Sequence, residues 1–322
     1  MRRSLMTLHR GVAGLVVALI LPAAVVSAQE KADISPGEPI GISSYAATDQ
    51  PPAFDSSEAA IDAFKAALAA DDVNALARLL GLDAGKLKAD ENTISVYAQI
   101  REAATKQFKV QDFEDRKLLN LGPKLWPFPF PLVKGDDGKW AFDTAAGLEE
   151  IVNRRIGENE LQAIATLREY VDAQREYAAQ DRDGDGVLEY AQKLVSSEGK
   201  TDGLYWPAGP DEDDSPAGGF ADQAALDKAK QGEGYFGYRF RILTRQGDNV
   251  AGGSYDYVIN GNMIGGFALL AWPVTYEETG VSTFLVNHNG TVYQADLGPS
   301  TEATVKYIES FNPDEAWSVV ND

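Results

Sequence analysis

The 322-residue chain carries 29 basic and 49 acidic residues, a net charge of −20, no cysteine and 44% hydrophobic residues. The absence of cysteine excludes disulfides, thiolate metal sites, a cysteine nucleophile and a lipid anchored through cysteine, and the hydrophobic fraction excludes a disordered chain. Such negative charge opposes nucleic acid and anionic lipid and fits a soluble partner, a cation or a neutral substrate.

The N-terminus has the three-part layout of a cleaved secretory signal. Arg2, Arg3 and Arg10 form a basic start, Gly11 to Val26 is almost wholly apolar, and Val26-Ser27-Ala28 supplies the small residues a signal peptidase reads. The apolar stretch is short for a membrane helix, which needs ~20 such residues. Residues 1–28 are therefore expected to be removed, leaving no membrane span and a periplasmic or secreted protein. That removal takes away three arginines and no acids and moves the net charge from −20 to −23. Residues 29–52, polar and carrying Pro36, Pro51 and Pro52, are read as a flexible tether.

A first domain is expected over 53–145. Ser56 or Ser57 caps a helix whose Ile61, Phe64, Ala67 and Leu68 share one face. A second helix, Val73 to Leu80, stops before Gly81, and a third runs from Asn92 to Phe108. The alternation of aromatic and proline from Trp126 predicts an edge strand or polyproline segment, because proline lacks the N–H a central strand needs. Asp136-Asp137-Gly138 reads as a turn into a strand carrying Trp140 and Phe142.

A second domain is expected over 146–322. One helix starts at Asp143 or Thr144 and is expected to end at Gly157. A longer one follows from Glu158 to Gln180, with Leu161, Ile164, Leu167, Val171 and Ala178 as its inward stripe. Five strands come next: Gly237–Leu243, Tyr255–Asn260, Phe267–Val274, Ser282–Asn287, and the strand after the Asn289-Gly290 hairpin turn. The expected class is α+β: a small helical and antiparallel domain, then a long helix packed on an antiparallel sheet.

Three resemblances attach to these segments. The helices followed by a strand of the form Trp-x-Phe-Asp resemble nuclear-transport-factor-like proteins over residues 54–145. The helix from Asn159 and the later runs Ala271-Trp-Pro-Val-Thr-Tyr, Thr283-Phe-Leu-Val-Asn and Gly290-Thr-Val-Tyr resemble the head domain of type IV pilins and pseudopilins. With Trp126-Pro-Phe-Pro, Asp181-Arg-Asp-Gly-Asp-Gly, Gly203-Leu-Tyr-Trp-Pro and Met263-Ile-Gly-Gly-Phe-Ala, nearly all of the chain after the signal resembles a family of exported bacterial proteins of unknown function. The resemblance implies export and fold and carries no activity. A pilin's apolar stem runs directly into its head helix, whereas this apolar segment ends near residue 26, which argues against a filament subunit.

Asp181-Arg182-Asp183-Gly184-Asp185-Gly186 is the candidate site. Carboxylates at alternate positions converge on one cation when glycine permits the turn, and hard oxygen ligands without histidine favour Ca2+. Asp181, Asp183 and Asp185 would ligate through side chains, Val187 through its carbonyl, and Glu189 directly or through water. Position twelve of the run is Gln192 rather than glutamate, so the EF-hand pattern is incomplete and an affinity in the ~0.1–1 mM range is expected.

Other motifs carry less. Gly232-Glu-Gly234-Tyr-Phe-Gly237 matches a dinucleotide fingerprint in letters but precedes a strand, not a helix, and so reads as a loop. His288 adjoins a hairpin turn and reads as an exposed residue. No catalytic residue is assigned. The expected role is a non-enzymatic envelope module with a structural calcium site and an envelope protein or glycan as partner. Tyr205-Trp206-Pro207 lies in a long loop suited to such binding. The alternative is a periplasmic or secreted hydrolase using paired carboxylates. Oligomeric state is left open.

Overall fold

The computed structural model describes residues 42–207, 214–219 and 221–321. The expected signal segment and residues 29–41 of the expected tether lie outside the described residues. Residues 42–52 are not a free tether. Ile42–Tyr45 forms a 3-10 turn, Ala46 bridges Leu82, and Ile42 and Tyr45 pack on a hydrophobic core.

The chain divides into two compact units at Ile151/Val152, a few residues beyond the expected boundary at 145/146. In the first unit, helix starts follow their capping side chains. Ser56 accepts from Ala59 N to open α1 (Ser57–Ala69), and Asp72 accepts from Ala75 N to open α2 (Val73–Leu80). Gly81, at φ +67°, ends α2 in the left-handed region. A short α3 (Ala84–Ala89), capped by Asp83, was not expected; α4 (Glu91–Lys106) starts at Asp90.

The strands β1 (Phe108–Asp112), β2 (Arg116–Leu121), β3 (Trp126–Pro127), β4 (Leu132–Lys134) and β5 (Trp140–Phe142) form an antiparallel sheet in the order β1-β2-β4-β5, with β3 on β2. Proline confines β3 to two residues of pairing. The buried Phe64 packs on Phe128 and Phe142 at ring-centroid distances of 5.0 and 5.7 Å.

Helix α5 (Thr144–Tyr177) is continuous, and Gly157 sits inside it without breaking it. Asp143 Oδ1 accepts from Ala146 N and caps the helix, while Thr144 Oγ1 donates to Leu80 O instead. In the second unit the buried residues of α5 are Ala163, Leu167, Tyr170, Val171, Ala173, Gln174 and Tyr177. Leu161, expected inward, is 68% exposed, because it lies two residues from Ala163 and so on the opposite side of a 3.6-residue turn.

After α6 (Gln223–Lys230), the main sheet comprises β6 (Tyr238–Leu243), β11 (Ala268–Pro273), β12 (Ser282–Asn287), β13 (Val292–Asp296) and β14 (Ser318–Val319). Their order is β14-β13-β12-β11-β6, and every pairing is antiparallel. The strand expected over Tyr255–Asn260 is instead two fragments outside this sheet. β8 (Tyr255–Asp256) pairs with β7 (Arg245–Gln246), and β9 (Val258–Ile259) pairs with β10 (Asn262–Met263).

Helix α5 lies on the sheet: Tyr170 packs edge-on against Phe267, and Asn159 Nδ2 donates to Thr279 O at 2.9 Å. A C-terminal segment containing α7 (Thr301–Thr304) contacts β11. There Glu302 pairs with Arg239 and accepts from Trp272 Nε1. Every residue of β11 is therefore buried. The architecture is α+β with a long helix on an antiparallel sheet, as the sequence predicts.

Candidate metal centre

The acidic turn is strung between two fixed points. Upstream is the end of α5 at Tyr177, whose carbonyl accepts from Arg182 Nε at 3.3 Å and from Gln180 N at 3.4 Å. Downstream is Ala191, held by a buried Gln174. The Gln174 amide donates to Ala191 O and accepts from Ala191 N, both at 2.8 Å. Chain direction must reverse between these anchors, and Gly184 (φ +79°) and Gly186 (φ +85°) take the left-handed conformations this requires.

The turn is organised around its own carboxylates. Asp181 accepts from Gly184 N at 2.8 Å and from Gly186 N at 2.9 Å. Asp183 accepts from Asp185 N, and Asp185 accepts from Val187 N at 2.7 Å. One carboxylate oxygen from each of Asp181, Asp183 and Asp185 lies within 4.8 Å of the others, at the exposed surface. Among the described residues this is the sole such group of acidic or histidine side chains. The backbone N–H groups of Gly186 and then Gly184 hold the Asp181 carboxyl below the ordinary aspartate range.

The other two expected ligands stand differently. Glu189 is outside the group. Its Oε2 accepts from Met263 N at 2.9 Å, beside the bond from Tyr190 N to Met263 O. Val187 is fixed through its N–H. Two further bonds join the turn region to the β9–β10 hairpin. Asn262 Nδ2 donates to Asp185 Oδ2 at 2.7 Å, and Gln192 Nε2 donates to Gly261 O at 2.7 Å. Asn262 was missed by sequence reasoning. Its signal was the Asn260-Gly261 pair, which adopts φ +55° and +98° as a tight hairpin turn does.

Residues 52–320 match the protein family described as "protein of unknown function (DUF2950)". The chain belongs to this family. No curated protein and no solved structure matches it. Within this DUF2950 chain the acidic turn lies inside the matched region, as do both ends of the hairpin that meets it.

His288 is not the exposed hairpin residue expected. It is half-buried, its ring lying against Tyr257 and Phe267 at 5.9 and 6.2 Å. Desolvation, the leading cause, lowers its pKa. The Gly232–Gly237 run forms a loop entering β6, as its position before a strand predicts, with Gly234 and Gly237 at φ +75° and +72°. Among the described residues no helix is long and apolar enough to cross a membrane.

Proposed function

We propose that this chain is an exported protein of the bacterial envelope or exterior, acting as a non-enzymatic binding or assembly module with a calcium ion at its acidic turn. The observation that carries the reading is the approach of Asp181, Asp183 and Asp185 to within 4.8 Å of one another on a turn built to hold them there. Three carboxylates so placed repel one another unless a cation joins them. Calcium accepts six to eight oxygen ligands in flexible geometry. The three side chains, the Val187 carbonyl and water supply hard oxygens of that kind. Glu189 serves as the latch to Met263.

The ion's role is structural: it ties the exit of α5 to the β9–β10 hairpin through Asp185 and Asn262. The long helix on an antiparallel sheet supports the pilin-head-like reading of the second unit. Because the apolar N-terminal stretch ends near residue 26 and α5 begins at Thr144, a stem leading into the helix is missing, which favours binding over filament packing.

The hydrolase alternative fits the turn poorly. A general acid needs a raised pKa, whereas the Asp181 carboxyl is held low and ionised, as suits a cation ligand. Burial raises the carboxyls of Glu158 and Glu169, but these stand far apart along α5.

The test is thermal melting in millimolar calcium and in chelator. Calcium is expected to raise the midpoint and chelator to reverse the rise. An unmoved midpoint removes the ion from the proposal.

A further inference from the structure

His288 is the sole histidine among the described residues, and it sits half-buried where several segments of the second unit meet. Tyr257 and Phe267 stand edge-on to its ring. Gly266, at φ +141°, closes over another side: a Cβ there would lie 2.7 Å from His288 Nδ1 and 3.0 Å from Tyr257 Cε1. Gly265 is pressed as closely, since its Cβ would fall 3.0 Å from Asp256 O and 3.2 Å from Tyr257 Cα. The two glycines act as a clasp, fitted to the imidazole and to the Tyr257 backbone by having no side chains. Beneath it, His288 Nδ1 is shut off from solvent and has no hydrogen-bond partner among the described residues.

A neutral imidazole tolerates this, because one ring nitrogen carries no hydrogen. An imidazolium carries N–H on both nitrogens, and a buried charged donor without an acceptor is costly. The surroundings do little for the cation. From α5, Arg175 Nη2 donates to His288 O at 3.4 Å, and Arg175 is itself paired with Asp172 at 3.1 Å. From the segment before β9, Tyr255 and Tyr257 are uncharged at ordinary pH, burial raising the Tyr257 hydroxyl to about 12, and Asp256 lies 3.6 Å from Arg245. Ile264, Gly265 and Gly266 carry no charge, nor do Asn287 and Asn289 beside the histidine. Behind Phe267 stand the neutral Tyr170 and Tyr190. The Phe267 carbonyl favours the proton, but desolvation outweighs it.

The clasp runs directly into the hairpin that meets the acidic turn. Gly265 N donates to Tyr257 O at 2.9 Å, Ile264 N to Asn262 O at 3.0 Å, and Met263 N to Glu189 Oε2 at 2.9 Å. A proton on Nδ1 finds an acceptor once Gly266 lifts and water enters, and the bond at Gly265 is the first that such a movement breaks.

We propose that His288 and the Gly265-Gly266 clasp form an acid-sensitive device: protonation of the ring lifts the clasp and frees the β9–β10 hairpin from the body of the second unit. The folded-state pKa lies below the ordinary 6.5. The stability that depends on a neutral ring is therefore whole above about pH 6.5 and is lost as pH falls towards the folded value. The device does not depend on calcium.

The experiment is an NMR titration of the labelled protein from about pH 8 to about pH 5, in chelator. The His288 ring should titrate with a midpoint below 6.5, and the amides of Met263, Gly265 and Gly266 should shift or broaden with that same midpoint. Those of Leu119 and Phe142, in the core of the first unit, should hold still. His288→Gln has no charge to gain and should remove the midpoint from the clasp amides. Its folding constant should gain on the parent's by up to about tenfold for each pH unit between 6.5 and the folded pKa. Glu158 and Glu169, whose carboxyls burial raises, titrate in both proteins and cancel in that ratio. The inference is overturned if the ring titrates at or above 6.5, if the clasp amides do not follow it, or if they keep their midpoint in His288→Gln. Should that variant fail to fold, the parent decides alone: coincident ring and clasp midpoints support the device, and separate ones remove it.

Discussion

Glu160 on α5 accepts two backbone hydrogen bonds through one oxygen, from Val281 N at 3.0 Å and Ser282 N at 2.8 Å, at the point where β12 begins. The first residues of a strand have N–H groups that must find partners, and here a helix carboxylate supplies them. Glu160→Ala leaves both donors unpaired and is expected to cost about 2 kcal/mol, the range for a hydrogen bond to a charged group. Glu160→Gln keeps an acceptor and should cost about half as much. Urea unfolding of the two variants checks this. Equal losses would mean that side-chain packing, not the accepted hydrogen bonds, is what Glu160 contributes.

Two glycines on α5 should respond to alanine with opposite signs. Alanine is the better helix former by about 0.5–1 kcal/mol. At Gly157 a Cβ meets nothing within 4 Å, so Gly157→Ala should gain that amount. At Gly147 a Cβ would lie 2.0 Å from Phe130 Cδ1, and Phe130 is a buried core ring. There overpacking outweighs propensity, and Gly147→Ala should lose about 1–3 kcal/mol. Denaturant midpoints decide the matter, and a gain at both sites would contradict the close packing of Gly147 on Phe130.

These glycines also show what the sequence could convey. Local signals were legible. α2 runs Val73–Leu80 because Asp72 caps it and Gly81 ends it, and the turn between β12 and β13 follows from Asn289-Gly290. Gly157 misled because a propensity penalty of ~1 kcal/mol is small beside the packing along the rest of α5. α3 escaped notice because it buries no residue and so leaves no apolar period. The Tyr255–Asn260 run looked like one strand, yet Tyr257 N donates to Thr244 O and its ring is buried, which splits the run into two short pairings. Arg241 alternates with apolar neighbours, which places it on the face of β6 opposite Phe240 and Ile242 and names no partner for it. It donates to Val305 O and Ile308 O, from a segment far along the chain. The same division holds at the candidate site. Aspartate spacing and the two glycines are local and could be read directly; the Asn260-Gly261 pair signals a hairpin turn, but that this turn brings Asn262 onto Asp185 is set by tertiary structure.

Asp202 provides a pH prediction. Lys193, as the leading cause, with Ser197 N and Oγ, lowers its carboxyl from the model-peptide range to about 2. A carboxyl with a depressed folded-state pKa contributes stability that is complete above its unfolded pKa, near 4, and is lost as pH falls through about 2. Asp202→Asn removes that contribution. The stability difference between parent and variant should therefore be constant above pH 5 and shrink steadily between about pH 4 and 2. Urea midpoints of both proteins across this range provide the check, since other carboxylates cancel in the difference. A difference that is flat down to pH 2 would remove the ion pair with Lys193 as its source.

The acidic turn predicts a change of sign with calcium. Asp183 is exposed, and its marginal contact with Asp185 N, at 3.3 Å, is the weakest bond within the turn. Without calcium, replacing it by asparagine keeps an acceptor and removes one of three mutually repelling charges, so Asp183→Asn should be neutral or slightly stabilising. With calcium the same change removes a charged ligand. An ion bound with a dissociation constant of ~0.1–1 mM stabilises the parent by about 1.4–2.7 kcal/mol at roughly 10 mM calcium. The variant should recover less than half of this. Magnesium, which demands tighter octahedral geometry and gives up its waters reluctantly, should do less than calcium for the parent. Chelator-controlled melts of both proteins separate the two regimes. If Asp183→Asn instead costs the same stability with and without the ion, its carboxylate belongs to the hydrogen bonding of the turn and not to a cation.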